Sequence, residues 1–510
     1  MKWIRSGAAS VFLFFACLFS FFSIGHYGGD GYQDYLTARS LVMHGTMSVD
    51  ESLADPDALD YKTDVGIKGR DGRLYASRSG YGMAFLIVPF YAAGHFIAGT
   101  LKGVPHDYAA MLAVSFLNPV VTALCAMLVF LLAMKLGFDR PVPFVLSLIY
   151  GLCTMAPVYA RTGFPEPAGN LLLMLSVYCL ISHARSNKTG HVVAGALCAG
   201  LMVLTKVSLS VFVPVLALYL FFSAPVQAFP ARIGKAALYC LVFGAIFAGI
   251  MALNWYLYGS PLYFGGPESV NIGKKFVRAA NLLKGAYYYL FSTGKGFFIF
   301  NVPLVLAFFV LRKAFKTSRL ETALFMAIFA VNLLFFVKSF RRGSLFSWGP
   351  RYLMPSVPFL TLLLGYYIVE YRTAAARFAL AVLSIAGALV MLPCMFINQS
   401  KFYNFAVEKL GVPEYIMNFV PDLSPVKGAW CLFMSRGGGM AGARFDFIYN
   451  PDYKLIQPIT ADMSAYNYFD MWPLKVLSVK PEFSAMVICV MSALAVIGIL
   501  SFIRAAKSEN

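Results

Sequence analysis

The stretch Gly7–Ile24, GAASVFLFFACLFSFFSI, runs directly into Gly25–Tyr35, GHYGGDGYQDY. The first part carries no charge and, at about 18 residues, is long enough to read as a membrane helix. The second part places two carboxylates, Asp30 and Asp34, just past its end. Anchoring does not call for acids there, so their position points to chemistry at the face of a membrane protein. Lys2 and Arg5 precede the apolar run and no small-residue cleavage site follows it. Phe15-Ala16-Cys17 is a poor lipoprotein site, and the segment reads as an uncleaved signal anchor.

The rest of the chain repeats the apolar pattern. Of 510 residues, 59% are hydrophobic and 13% charged, with a mean hydropathy of +0.69; soluble domains carry about 25% charged residues. Apolar runs fall at about 7–24, 109–134, 141–159, 168–184, 191–205, 207–223, 236–258, 296–311, 321–337, 352–369, 377–397 and 484–503. They predict an all-α polytopic membrane protein with about 12 transmembrane helices. The net charge of +18 is no nucleic-acid signature, because the basic residues are scattered in short loops. Lys135 and Arg140, Arg185 and Lys188, Arg232 and Lys235, Arg312 to Arg319, and Arg372 and Arg377 all fall on the side of the two termini. The positive-inside rule makes that side cytoplasmic.

The run 82–100 contains Pro89, Gly94 and His95. Counted as a span, it would invert every later loop, so it reads as an interfacial or re-entrant helix of an outer loop 25–108. The runs 191–205 and 207–223 are short, are joined by Lys206, and are expected to pack at an angle. Three units follow: a transmembrane catalytic core over 1–397, an outer segment over 398–483, and a last transmembrane helix with a cytoplasmic tail over 484–510. Of nine cysteines only Cys431 lies in a polar stretch, and neither a disulfide framework nor a metal spacing emerges. His26, His44, His95 and His106 match no zinc pattern.

Several outer residues invite a chemical reading. Lys338, Arg341, Arg342 and Arg351 cluster where the charge rule disfavours them, as do Lys68, Arg70, Arg73 and Arg78. Guanidinium groups bind phosphate oxygens in pairs, which suits a lipid phosphate; snorkelling, or pairing with the acids of loop 25–108, is the plainer reading. Asp30 is placed to act as a general base or simply to cap a helix over 31–43, and Asp34 lies one turn further along. Glu166, in Gly163-Phe164-Pro165-Glu166-Pro167, is either a functional acid at the mouth of a span or a helix cap. Lys206 and Tyr263, with Glu166, are further candidates for the cleft. In 398–483, Phe402, Tyr403, Tyr449, Tyr453, Tyr466, Tyr468 and Trp472 offer stacking surfaces for a glycolipid or serve as interface anchors.

Six segments, in order, resemble the polyprenyl-phosphate-sugar-dependent glycosyltransferases of superfamily C, relatives of the protein O-mannosyltransferases and the lipid A aminoarabinose transferase. They are Asp30 with Ala38-Arg39-Ser40-Leu41; Asp71-Gly72-Arg73-Leu74-Tyr75 with Gly80-Tyr81-Gly82; and Tyr159-Ala160-Arg161 with Glu166. The others are Tyr258-Gly259-Ser260-Pro261-Leu262-Tyr263, Leu290 to Phe298 with Pro303, and Trp348-Gly349-Pro350-Arg351-Tyr352. The resemblance spans roughly residues 1–400. It implies that Asp30 is the catalytic base. Many relatives follow that aspartate with a glutamate, where this chain has Gly31.

The expected function is sugar transfer from a polyprenyl-phosphate-linked donor to an acceptor hydroxyl, with inversion, in a bacterial inner membrane with the site facing the periplasm. Arg351, Arg341, Arg342, Arg78 and Lys295 are the expected phosphate ligands. No cofactor is required, although the outer acids leave room for a divalent cation. The partners are the lipid-linked donor, a glycan, lipid or protein acceptor, and membrane lipids, with no nucleic acid. A transporter or flippase for a lipid-linked or anionic substrate is the alternative; against it, no similarity between the two halves is visible. A non-catalytic envelope-assembly partner is the third reading.

Overall fold

In lipid a backbone must satisfy its own hydrogen bonds, so apolar runs become helices. The computed structural model describes residues 2–27, 30–54, 66–76, 80–100, 104–139, 141–223, 229–263, 279–337, 347–398, 400–413, 416–437, 444–448, 458–462 and 469–507. Among them, eight helices are long and apolar enough to cross a membrane: Gly82–Thr100, His106–Leu136, Glu166–Ser186, Phe229–Tyr258, Arg319–Val337, Arg351–Glu370, Ala374–Met395 and Pro481–Ala506. Shorter apolar helices cover Gly7–Phe21, Pro141–Cys153, Thr189–Thr205 and Val207–Ser223. The protein is an all-α polytopic membrane protein. Arg351–Glu370 is 83% buried and lies at the centre, whereas Phe229–Tyr258 is 11% buried and lies at the rim.

Two expected spans are interrupted. The run 296–311 breaks into Phe297–Phe300, a 3-10 turn Val302–Val305 and Leu306–Phe309. The break sits at Asn301, whose side chain accepts from Met155 N–H at 3.1 Å and donates to Phe297 O at 2.9 Å. The same contact marks the interruption of 141–159, where Pro141–Cys153 ends and Ala156–Ala160 begins. Irregular backbone at this depth survives because it is buried in protein. The expected joint at Lys206 is present: its backbone is extended between the helix Thr189–Thr205 and the 3-10 helix Val207–Phe212.

Tertiary contacts sort the loops to two ends. At one end Lys235 donates to Thr189, Lys135 lies over the Tyr178 ring, and Tyr219 meets Glu321. At the other end the first loop packs on later loops. There Asn118 donates to Phe164 O at 3.0 Å, and a Cβ on Gly82 would meet Thr205 Oγ1 at 2.5 Å. The helix Gly82–Thr100 starts at that contact. Further along, Gly94 packs on Ala110, where a Cβ would meet backbone at 2.6 Å, and the His95 and His106 rings lie 4.7 Å apart.

The segment after 398 has an apolar core of its own, including Phe402, Phe405, Met417, Leu423 and Leu432. It also holds an antiparallel hairpin of Arg444–Ile448 with Pro458–Asp462. It is tied back by Asp470 N–H to Phe396 O at 2.7 Å and Trp472 N–H to Ser23 O at 2.8 Å. Phe402, Tyr403 and Trp472 are buried, with exposures of 1%, 1% and 4%. These three are core residues, not stacking surfaces, because the segment folds over them; the side chains of Tyr449, Tyr453, Tyr466 and Tyr468 lie outside the described residues.

Candidate active site

Glu166 opens the helix Glu166–Ser186 and is 2% exposed. Its Oε1 is shared by two cations: Lys206 Nζ donates to it, and Arg351 Nε lies 3.1 Å away. Lys206 comes from the extended joint between two helices. Arg351 comes from the 3-10 turn Arg351–Ser356 that opens the central helix. Aromatic rings enclose the cations. Arg351 stands 4.2 Å over Phe164, and Lys206 lies 4.8 Å over Tyr352, whose hydroxyl Arg351 also reaches at 3.3 Å. Tyr352 is itself held by stacking on Phe336 at 4.6 Å. Buried charges are costly unless paired, yet Glu166 Oε2 has no hydrogen-bond partner among the described residues.

Local backbone brings these groups together. Gly80 and Gly82 press against Leu204 and Thr205, two residues and one residue before Lys206, where any Cβ would clash with backbone or hydroxyl at 2.3–2.5 Å. The turn before Glu166 is held by Asn118. Against that turn lies the start of the helix Asp30–His44: a Cβ on Gly31 would sit 2.1 Å from Gly163 O. A glutamate at position 31 would not fit here. The Tyr27 ring packs on both glycines, at 2.8 Å from the Gly31 Cβ position and 3.1 Å from that of Gly163. Burial, then the Asp34 and Glu166 carboxylates, raise the Tyr27 hydroxyl well above its ordinary pKa. Its oxygen has no hydrogen-bond partner among the described residues.

The sequence candidates divide accordingly. Glu166, Lys206 and Arg351 converge. Asp34 is buried beside Tyr27. Asp30 begins its helix next to the Glu166 turn, but its side chain, with Arg78, Arg341 and Arg342, lies outside the described residues. Lys295 is fully buried and donates to Ser347 O and, at 3.3 Å, to Ser347 Oγ. Burial, then the Arg351 charge, push its ammonium well below the ordinary lysine value. The Tyr263 ring lies tilted 4.9 Å from that of Tyr258, which packs on the cluster around Tyr75 and Leu257. Sequence reasoning missed Tyr27, Asn118, Phe164 and Tyr352; the last adjoins Arg351 and was the easiest to find.

Arg161 also gains a role. Its guanidinium donates to the carbonyls of Phe22, Cys394 and Asp470, using three nitrogens on three distant segments. It joins the end of the first helix to the C-terminal segment beside the site. Among the described residues no three His, Cys, Asp or Glu side chains gather as metal ligands.

No protein-family model and no curated protein matches this chain. Among solved structures it is similar to ArnT from Cupriavidus metallidurans in the apo state, with 12% identity and a TM-score of 0.45 over 99% of this chain and 76% of that one. It is similar also to ArnT from the same organism bound to undecaprenyl phosphate, with 12% identity and a TM-score of 0.46 over 98% and 76%. At that degree of superposition the likeness carries no functional inference.

Proposed function

We propose that the protein is an integral membrane glycosyltransferase that moves a sugar from a polyprenyl-phosphate-linked donor to an acceptor hydroxyl. The observation that carries this reading is the sharing of one buried carboxylate oxygen by Lys206 and Arg351, with the Asp30 helix starting against the same turn. Two cations held on one acid favour a further anion, and a phosphate accepts the planar guanidinium in paired hydrogen bonds. Arg351, helped by Lys206, binds the donor phosphate. Asp30 takes the proton of the acceptor hydroxyl as its oxygen attacks the anomeric carbon. The bond from that carbon to the phosphate oxygen breaks, and its electron pair leaves on polyprenyl phosphate, whose new charge the cations stabilise. One displacement inverts the anomeric centre, and the chain's own cations serve without a metal.

The membrane arrangement follows the charge distribution. About 12 spans leave both termini in the cytoplasm, the site faces the periplasm of a bacterial inner membrane, and Gly82–Thr100 lies along the interface. Its start against Thr205 and its packing, through Gly94 and His95, on Ala110 and His106 at the start of the next helix support that placement. The test is transfer by purified protein given a polyprenyl-phosphate sugar, measured beside movement of the same lipid across sealed vesicles. Transfer with release of polyprenyl phosphate is expected. Lipid movement without transfer to any offered acceptor would replace the enzyme with a carrier.

A further inference from the structure

The carbonyls just before Arg351 are held from three directions. Ser347 O accepts from Lys295 Nζ and, at 3.3 Å, from the Tyr403 hydroxyl; Trp348 O accepts from the Tyr159 hydroxyl at 2.6 Å. Lys295 also lies 5.1 Å over the Tyr403 ring. Between these carbonyls and Arg351 the backbone has little freedom. Gly349 has φ +60, and a Cβ there would meet the Phe300 ring at 2.7 Å. Pro350 fixes its own φ, and Arg351 N–H donates back to Gly349 O at 3.1 Å. A shift at Ser347 therefore passes into Arg351. Tyr403 stands apart from the other two anchors, because it belongs to the helix Ser400–Glu408 of the outer segment. That segment also grips the Lys295 turn: Gly294 N–H donates to Asn418 O at 3.1 Å, and Ser424 Oγ donates to Thr293 O at 3.1 Å.

We infer that Tyr403 is a positioning residue for Arg351, through which the C-terminal outer segment sets the geometry of the phosphate site. This rests on the reading of Arg351 as the phosphate ligand. Tyr403→Phe removes one hydroxyl and keeps the ring, and Lys295 still satisfies Ser347 O, so the fold survives. The loss of one oriented hydrogen bond corresponds to about three- to tenfold in affinity.

The test measures binding of polyprenyl monophosphate, with uncharged polyprenol as control, to full-length purified protein. It compares wild type, Tyr403→Phe, Arg351→Ala and the double variant in a double-mutant cycle. Tyr403→Phe is expected to weaken the phosphate probe about three- to tenfold, to leave polyprenol unchanged and to add nothing once Arg351 is gone. Should Tyr403→Phe prove unstable, Tyr159→Phe probes the neighbouring carbonyl with the same expected dependence on Arg351. A stable Tyr403→Phe protein with unchanged affinity, or an equal loss with and without Arg351, overturns the inference and leaves the phosphate site standing. Unchanged affinity in Arg351→Ala removes the phosphate site itself, and the inference with it.

Discussion

Two buried acid clusters sit at the same end of the bundle and are built differently. In the first loop, Asp107 Oδ1 takes Arg39 Nε at 3.0 Å, Tyr91 OH at 3.3 Å and Tyr35 OH at 3.4 Å. One cation and two neutral donors converge on one carboxylate oxygen. At Glu166 two cations share Oε1, and Oε2 has no hydrogen-bond partner among the described residues. A carboxylate with one cation and neutral donors is complete, and it locks the loop. A carboxylate that holds a second cation keeps positive charge ready at a place where a ligand's charge can join it. Both clusters are buried; what distinguishes them is the ratio of cations to acids.

The largest effect that tests this contrast lies beside the Glu166 cluster. Asp30→Asn keeps the side chain's shape but removes the charge of the proposed base, and transfer is expected to fall about 10²–10⁴-fold with the fold intact. Asp34→Asn should cost less. Near-normal turnover in Asp30→Asn together with loss in Asp34→Asn would move the base by one helical turn. At the complete cluster, Asp107→Ala removes the carboxylate paired with a buried guanidinium, for which a loss of about 3–5 kcal/mol of stability is expected. Thermal unfolding measures it; a stable Asp107→Ala protein with weakened donor binding would erase the distinction between the clusters.

Next in size is Arg351→Ala, expected to weaken lipid-phosphate binding about 10- to 100-fold, with Arg351→Lys between it and wild type because the charge stays and the planar fork is lost. Equal affinities for the lysine variant and wild type would show that a point charge suffices. The smallest effect concerns pH. Burial and then the Lys475 ammonium push His26 down to about 4, with Asp470 acting the other way. The folded value lies below the ordinary 6.5, so the folded state binds fewer protons. Its share of stability is complete above pH 6.5 and is lost as pH falls towards 4, by on the order of 1–3 kcal/mol. His26→Gln should flatten the fall of Tm between pH 7 and 5. An unchanged slope would place the acid sensitivity elsewhere.

Much of the fold was legible because bilayer thickness writes itself into apolar run length. The breaks were not: Phe297 to Phe309 reads as one apolar run, and in the structure it is interrupted at Asn301, whose side chain bonds Met155 and Phe297, just before Pro303. Glu166, Lys206 and Arg351 each stood out as ionisable groups near span ends. Their meeting depends on Gly80, Gly82 and Gly31, whose missing side chains let backbones touch. Gly31 looked like a departure from a motif and turns out to be a steric requirement. Tyr403 could not be read from sequence, since an aromatic residue in an outer segment looks the same whether it meets a glycolipid or a carbonyl.

The Arg161 fork has a consequence for how the molecule is made. Its three acceptors lie at Phe22, Cys394 and Asp470, so one becomes available at the start of synthesis and another only near its close. Until residue 470 has left the ribosome and docked, a guanidinium destined for burial lacks an acceptor and the end of the bundle beside Glu166 stays unlatched. A transcript cut short before that point would still encode most of the apolar helices, and its product would insert. It would keep the end of the bundle beside Glu166 unlatched, so the loss expected of such a product is by turnover rather than by failed insertion.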